Sequence, residues 1–206
     1  MTDVLTPSEC AAMIAAAESI GFTPDEPAAG TTASALSSVL AHNVFWLADP
    51  ELLAHIASRT APFLPSTSGG GALAGINARW RVYRYVPGAL YRPHIDGAWP
   101  GSGVDADGKY VYDVFGDRWS RMTFLVYLNE DFSGGETTFF VPSEREGVMD
   151  AWGVKPRTGC VACFPHGDTV GSLLHEGSGV TNGAKYVIRT DVLYMLPKGA
   201  SAPASQ

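Results

Sequence analysis

The sequence lacks the features that mark several large classes of protein. No apolar run reaches the roughly 18 residues of a membrane span, and no cluster of basic residues suggests a nucleic-acid partner. The formal net charge is −7, from 14 Lys+Arg against 21 Asp+Glu. The N-terminal residues have neither the basic region nor the apolar core of a signal peptide. We therefore expect a cytoplasmic protein with no membrane or nucleic-acid partner.

Cysteine is also scarce, with only Cys10, Cys160 and Cys163 in the chain. The last two form a C-x-x-C motif, which in redox proteins lies at a helix N-terminus. Here the motif lies in a strand-like apolar run, where residues three apart face opposite sides. A structural zinc site would need further ligands, and no second C-x-x-C exists. We interpret these cysteines as ordinary strand residues.

What the sequence does contain is a change of pattern near residue 80. Before that point, two helices are predicted, one over 6–20 with a Thr6–Glu9 capping box and one from Asp49–Pro50 to just before Pro62. After it come five runs rich in β-branched and aromatic residues, separated by turn signals: 80–86, 122–129, 136–140, 160–164 and 185–196. Strands without alternating helices predict packed sheets.

The predicted fold is therefore mainly β with N-terminal helices around a double-stranded β-helix, or jelly-roll, core. We expect one domain over residues 1–198, because a chain of 206 residues is long enough for a single large core. The segment 199–206, rich in small and polar residues, is predicted to be a flexible tail.

The segment YRPHIDGAW places His94 and Asp96 two residues apart in an extended stretch. Side chains at i and i+2 of a strand share a face, so the imidazole and the carboxylate should project together. Such a pair is either half of a metal site or a simple hydrogen-bonded pair. His175 follows far enough along the chain for several strands to intervene. Two histidines and one carboxylate form the facial triad of non-haem Fe(II) oxygenases.

A second H-x-D motif, His166–Asp168, competes with this assignment. It lies in a turn after CFP, and the next histidine, His175, follows with no room for intervening strands. We therefore place the metal at the first motif.

Lys185 opens the last strong strand and shares a strand face with Val187 and Arg189. An ammonium group at an inward position is costly unless an anion pairs with it. The lysine is thus either the partner of an anionic ligand or a solvated residue at a strand start.

Four segments, taken in order, resemble the Fe(II)/2-oxoglutarate-dependent dioxygenases of the prolyl 4-hydroxylase type: LTPSECAAMI, YVPGALYRPHIDGAW, RMTFLVYLNEDFSGGETTFF and HEGSGVTNGAKY. The resemblance covers roughly residues 5 to 195. It implies Fe(II) bound by His94, Asp96 and His175. It implies a 2-oxoglutarate pocket with four contributing residues: Tyr85, Thr123, Tyr127 and Lys185. O2 is the implied second co-substrate, with ascorbate as an optional reductant.

The implied reaction is hydroxylation of an unactivated C–H bond, most simply on a prolyl residue of a peptide or protein. A free amino acid or another small molecule is the alternative substrate, and a non-catalytic jelly-roll binding protein or a cupin-type hydrolase is the alternative class. The complete triad with Lys185 favours the dioxygenase. Asp191 departs from the resemblance, since some members of the family have tryptophan there. The long aromatic segment 98–119 is predicted to be a mobile lid over the substrate.

Overall fold

The computed structural model describes residues 1–24 and 41–197. It contains the two predicted helices, α1 (Pro7–Ile20) and α2 (Pro50–Thr60), with a short 3-10 turn at Ala61–Phe63 after α2. The Thr6–Glu9 capping box is present, and Asp49 caps α2 through the Leu52 amide. Neither helix in the described ranges combines the length and the apolar character needed to cross a bilayer. The tail predicted at 199–206 lies outside the described residues.

The described ranges also hold sixteen strands, and all five predicted strand runs are among them. In chain order they are β1 (Thr23–Pro24), β2 (Ala41–Leu47), β3 (Thr67–Ser68), β4 (Gly71–Ile76), β5 (Arg79–Tyr85), β6 (Tyr91–His94), β7 (Gly103–Val104), β8 (Tyr110–Val111), β9 (Arg118–Tyr127), β10 (Ser133–Gly134), β11 (Thr137–Pro142), β12 (Met149–Val154), β13 (Val161–Pro165), β14 (Leu174–Gly177), β15 (Val180–Asn182) and β16 (Lys185–Met195).

Two antiparallel sheets form the body of the fold. In the eight-stranded major sheet, β16 pairs with β5 at its start, with β4 near its end and with β9 along most of its length. β2 extends the sheet beyond β5, and β13 extends it beyond β9. The minor sheet has the order β12-β11-β14-β6. This is the predicted jelly roll, although the two sheets do not close into a continuous barrel.

The major sheet buries both of its faces. On one face, residues such as Val82, Phe124 and Ile188 pack against α1 and α2 and form the larger core. On the other face, Tyr83 and Val187 belong to a second apolar cluster, which faces the minor sheet. Successive strand residues point to opposite faces, so each strand serves both layers. The residues that the sequence singled out on β5, β9 and β16 lie on the second face.

The cysteines follow the same two-layer division. Cys160 packs against the second cluster and Cys163 against the first, and all three cysteines are free thiols. Burial raises the pKa of the Cys163 thiol to about 12, which makes it a poor nucleophile at neutral pH. Cys163 lies in β13, as predicted, whereas Cys160 lies one residue before that strand, and the motif is not at a helix N-terminus.

Candidate metal centre and co-substrate pocket

The three predicted metal ligands meet at the edge of the minor sheet. The antiparallel register of β14 and β6 places His175 directly opposite His94, and their ring centroids lie 4.3 Å apart. Asp96 lies two residues beyond the end of β6, and its neighbour Ile95 is exposed. The two side chains of the first H-x-D motif thus lie together, as predicted, although the strand itself ends at His94.

The ligand atoms of His94, Asp96 and His175 all lie within 4.8 Å of one another, a spacing that permits binding to one ion. Nε2 of His94 is 3.4 Å from Oδ1 of Asp96, and Nε2 of His175 is 3.5 Å from Oδ2. Within residues 1–24 and 41–197, this is the one group of three or more His, Cys, Asp or Glu side chains with such a spacing.

Both histidines are oriented by backbone carbonyls. Nδ1 of His94 lies 2.7 Å from the carbonyl oxygen of Arg92, and Nδ1 of His175 lies 3.1 Å from that of Leu173. A carbonyl oxygen only accepts, so each Nδ1 carries the proton and each Nε2 presents its lone pair toward the ligand group. Burial lowers the pKa of His175, which favours the neutral imidazole that a metal requires.

The Asp96 carboxylate is buried and ionised. Burial by itself would raise its pKa, but the Arg189 guanidinium and the two imidazoles hold the pKa well below its usual range. Nη2 of Arg189 lies 3.1 Å from Oδ1 of Asp96 and 3.7 Å from Oδ1 of Asp191. Arg189 therefore supplies a fixed positive charge behind the candidate metal ligand.

A directional chain of hydrogen bonds leads to the other oxygen of Asp96. The Thr123 hydroxyl donates to Oδ2 at 2.7 Å, because an ionised carboxylate only accepts. The same hydroxyl lies 2.8 Å from Nδ1 of His166, which must therefore donate to it. Nε2 of His166 then accepts from the Ser120 hydroxyl at 2.9 Å, and the Trp99 amide donates to that hydroxyl at 2.8 Å.

This chain requires a neutral His166. The side chain is fully buried, and burial lowers its pKa. Asp168, the other half of the second H-x-D motif, instead pairs with Arg121 at 2.6 Å, and its carboxylate is largely exposed. The second motif therefore does not bring its two side chains together as a metal site.

Lys185 lies inside the protein and not at a solvated strand start. Lys185 is 4 % exposed, and its Nζ donates a hydrogen bond of 2.7 Å to the Gly135 carbonyl oxygen. Nζ also lies 5.3 Å from the centroid of the Tyr85 ring and 5.8 Å from that of Tyr127. Burial lowers its pKa to about 8. In the described part of the chain, no carboxylate lies within ion-pair distance of this ammonium group.

One cavity of about 240 Å³ connects the triad with Lys185. Tyr85, Leu125 and Val187 contribute to its wall. Thr123 and Tyr127 lie on the same face of β9, but neither contributes to this wall. Thr123 lies behind Asp96, while the Tyr127 hydroxyl donates to the Thr137 hydroxyl at 2.8 Å. A direct contact of these two residues with the co-substrate stays a prediction.

The residues fit Fe(II) and 2-oxoglutarate by their chemistry. Two imidazole nitrogens and one carboxylate leave coordination positions for a chelating ligand and O2. A buried ammonium in the same cavity would pair with the distal carboxylate of a dicarboxylate ligand.

The comparisons with known proteins agree with this fit. The sequence profile of the 2OG-Fe(II) oxygenase superfamily matches residues 80–190, which is more than half of the chain. The chain belongs to this superfamily. As a 2OG-Fe(II) oxygenase it requires Fe(II), 2-oxoglutarate and O2, as the sequence resemblance implied. A comparison with curated protein sequences gives no match.

The fold is similar to that of several solved prolyl hydroxylases. A viral collagen prolyl hydroxylase from Paramecium bursaria Chlorella virus-1, solved with 2OG, is 21% identical with a TM-score of 0.59, covering 95% of this chain and 94% of the other. A Trichoplax adhaerens prolyl hydroxylase bound to a hypoxia-inducible factor peptide is 17% identical with a TM-score of 0.63, covering 100% and 86%. A Pseudomonas putida prolyl-4-hydroxylase is 16% identical with a TM-score of 0.55, covering 96% and 91%.

The roles of three residues around the oxygenase triad, Arg189, His166 and Asp191, were not predicted from the sequence. Arg189 was placed only on one strand face with Lys185, and His166 only in a competing H-x-D motif. Asp191, fully buried with a pKa raised by burial, lies 3.8 Å from Nδ1 of His166. The available signal was that two further charged residues, Arg189 and Asp191, share the face of β16 that carries Lys185, since buried charges require partners.

Proposed function

We propose that this oxygenase hydroxylates prolyl residues in peptides or proteins, with His94, Asp96 and His175 as the iron ligands and Lys185 as the 2-oxoglutarate anchor. The observation that carries the proposal is that the triad and the buried ammonium share one cavity. Prolyl hydroxylases of the same fold, one of them bound to a peptide, support the choice of substrate.

His94, Asp96 and His175 would hold the Fe(II), which with 2-oxoglutarate and O2 supplies the oxidant that places one oxygen atom in a C–H bond. The backbone carbonyls behind both imidazoles keep their Nε2 atoms directed at the ion. Thr123 and Arg189 hold the two oxygens of Asp96. The ligand group is thereby preorganised on both sides.

Lys185 would bind the distal carboxylate of 2-oxoglutarate, with Tyr85 beside it. Its partial pairing with the Gly135 carbonyl leaves two ammonium protons for the ligand. The apolar side chains of Leu125 and Val187 line the space between anchor and triad. They would limit water there and strengthen the ion pair. The presence of Asp96 favours hydroxylation over halogenation, because the carboxylate occupies the position that a halide would take.

The test is turnover of proline-containing peptides by the purified protein with Fe(II), 2-oxoglutarate and O2. Each event should convert one 2-oxoglutarate to succinate and CO2 and add one oxygen atom, detected by mass spectrometry, to a proline. The His175→Ala variant serves as the inactive control. Oxygen added to a free amino acid or another small molecule, and never to a peptide, would support the oxygenase and overturn the prolyl assignment.

A further inference from the structure

A second concave surface adjoins the catalytic cavity. It has a volume of about 580 Å³ and is lined by residues of β2, the start of β5 and the 98–119 segment: Phe45, Trp46, Leu47, Arg79, Trp99, Tyr110 and Tyr112. Five of these side chains are aromatic, unlike the mixed polar wall of the catalytic cavity. We call this surface the aromatic groove. Phe45, Tyr110 and Tyr112 are exposed, so their rings are accessible to a ligand.

The groove and the catalytic cavity lie next to each other. Trp99 contributes to the walls of both. Arg79 lines the groove and Arg81 lines the cavity, and these two residues are neighbours on one face of β5. Phe45 lies between them, with its ring centroid 5.5 Å from the Arg79 guanidinium carbon and 4.8 Å from that of Arg81. Residues i and i+2 of a strand are about 7 Å apart, roughly the length of two extended peptide residues.

Arg79 gives the groove its charge. It is the one charged residue among the groove-lining residues within the described ranges. Its guanidinium carbon lies 4.1 Å from the centroid of the Trp99 ring. Within residues 1–24 and 41–197, no carboxylate lies within 4.0 Å of this guanidinium. A cation stacked on an aromatic ring, without a paired carboxylate, favours an acidic ligand group.

We propose that the aromatic groove binds the residues that flank the target proline, in an extended polyproline II conformation, and that Arg79 selects an acidic side chain among them. This inference rests on the proposed function, because it takes the substrate to be a peptide. Proline-rich segments dock on aromatic-lined grooves because their conformation is already ordered before binding. The catalytic cavity, at about 240 Å³, is smaller than the groove and would also hold the co-substrate, so the flanking residues would lie outside it.

The first experiment measures peptide affinity by calorimetry, with Mn(II) and 2-oxoglutarate present and O2 excluded. The probes are two capped ten-residue peptides, one alternating proline with glutamate and one alternating proline with glutamine. We expect the glutamate peptide to bind about tenfold more tightly to the wild-type protein. Equal affinities for the two peptides, or no binding of either, would overturn the proposal.

Variants test whether the preference for the glutamate peptide depends on the groove. Arg79→Gln should abolish the difference between the two peptides, whereas Arg79→Lys should keep part of it. Tyr110→Ala should weaken both peptides. Trp152→Ala is the matched control, because Trp152 is 66 % exposed on β12 and lines neither surface. Unchanged 2-oxoglutarate affinity in each variant verifies folding. A preference that survives in Arg79→Gln would overturn the role of Arg79.

The experiments distinguish failure of the groove proposal from failure of the prolyl hydroxylase proposal. Groove-dependent binding of the glutamate peptide without oxygen transfer to proline would sustain the groove and overturn the prolyl hydroxylase assignment. Hydroxylation of proline at equal kcat/KM in wild type, Arg79→Gln and Tyr110→Ala would sustain the enzyme and overturn the groove.

Discussion

The Thr123 hydroxyl donates a hydrogen bond of 2.7 Å to Oδ2 of Asp96, so a residue of the major sheet fixes a ligand of the candidate metal centre. The hydroxyl itself is fixed by His166, 2.8 Å behind it. Oδ2 is the oxygen that lies 3.5 Å from Nε2 of His175, while Oδ1 lies 3.4 Å from Nε2 of His94. The Thr123 donor therefore fixes the rotation of the carboxylate and keeps one oxygen directed at each imidazole.

Replacing Thr123 with valine should weaken metal binding with little change in the fold. The substitution keeps the shape of the side chain, removes the donor and leaves Oδ2 of Asp96 buried without it. We expect a 10- to 100-fold loss of Mn(II) affinity, the usual cost of losing such a supporting contact. Titration of the metal-free protein measures it. Thr123→Ser retains the hydroxyl and should bind Mn(II) nearly as wild type does. Equal loss in both variants would contradict the hydrogen-bond role.

The two H-x-D motifs should respond differently to alanine. His94→Ala and His175→Ala each remove a ligand nitrogen from the triad, so tight binding of one Mn(II) per chain should disappear. His166→Ala removes only the support behind Thr123 and should keep that stoichiometry with weaker affinity. Metal analysis after gel filtration distinguishes the two outcomes. Complete metal loss in His166→Ala alone would mean that the triad assignment is wrong.

The pairing of His94 with Asp96 was predictable because it depends only on two residues of an extended stretch whose side chains share a face. The same rule placed Lys185 on one face with Val187 and Arg189, but the sequence left open whether that face points inward. Five strands were predicted from β-branched and aromatic runs. β2, β4 and β12 were missed, since AHNVFWL, GALAGI and MDAWGV show weak alternation or contain glycine. Their pairing partners, and not their own sequences, define them as strands.

The surroundings of Asp96 were not predictable from the sequence. The hydrogen-bond chain joins three segments: Trp99 after β6, Ser120 and Thr123 on β9, and His166 directly after β13. The contact of His166 with Ser120 and Thr123 depends on the register of β9 with β13, which pairs Pro165 with Met122. A slip of one residue in this register would turn the β9 side chains to the opposite face, and no local motif specifies the register.

Lys185→Met should stabilise the free protein and abolish productive 2-oxoglutarate binding. Burial lowers the pKa of Lys185 from 10.5 to about 8, which corresponds to a cost of the buried charge on the order of 3 kcal/mol. Methionine removes that cost but also the hydrogen bond to Gly135, worth about 1 kcal/mol. The net gain should be about 1–2 kcal/mol at pH 7 in urea denaturation without ligand. If Lys185→Met were less stable than the wild type, other groups in the folded protein would have to compensate the buried charge of Lys185.

The same pKa sets the pH dependence. Between about 8 and 10.5 the unfolded chain binds more protons than the folded chain, so stability of the free protein should rise with pH across this window. The affinity for 2-oxoglutarate should fall over the same range, because the neutral amine cannot pair with a carboxylate. Parallel titrations of wild type and Lys185→Met measure both effects. If stability changed with pH equally steeply in Lys185→Met, the titrating group would not be Lys185.

The 98–119 segment should combine a rigid base with a mobile tip. Its base is tied to the sheet, because the Ser102 amide donates to Oδ1 of Asn77 at 3.0 Å and the Ser120 amide donates to the Trp99 carbonyl at 2.8 Å. Its tip carries the exposed rings of Tyr110 and Phe115. The sequence predicted one lid over the whole segment, whereas the structure separates these two parts.

Hydrogen exchange of the two parts should therefore differ. The amides of Ser102 and Ser120 should exchange slowly with or without ligands, because local opening would break bonds to the core. The tip, residues 105–116, should exchange more quickly than the base in the free protein, since its hydrogen bonds to the Asp105 and Asp113 carboxylates are local and exposed. Addition of Mn(II), 2-oxoglutarate and a proline-glutamate peptide should slow the tip alone, because Tyr110 and Tyr112 line the groove that the peptide would fill. Equal exchange of the tip in both states would mean that the segment is a static cover.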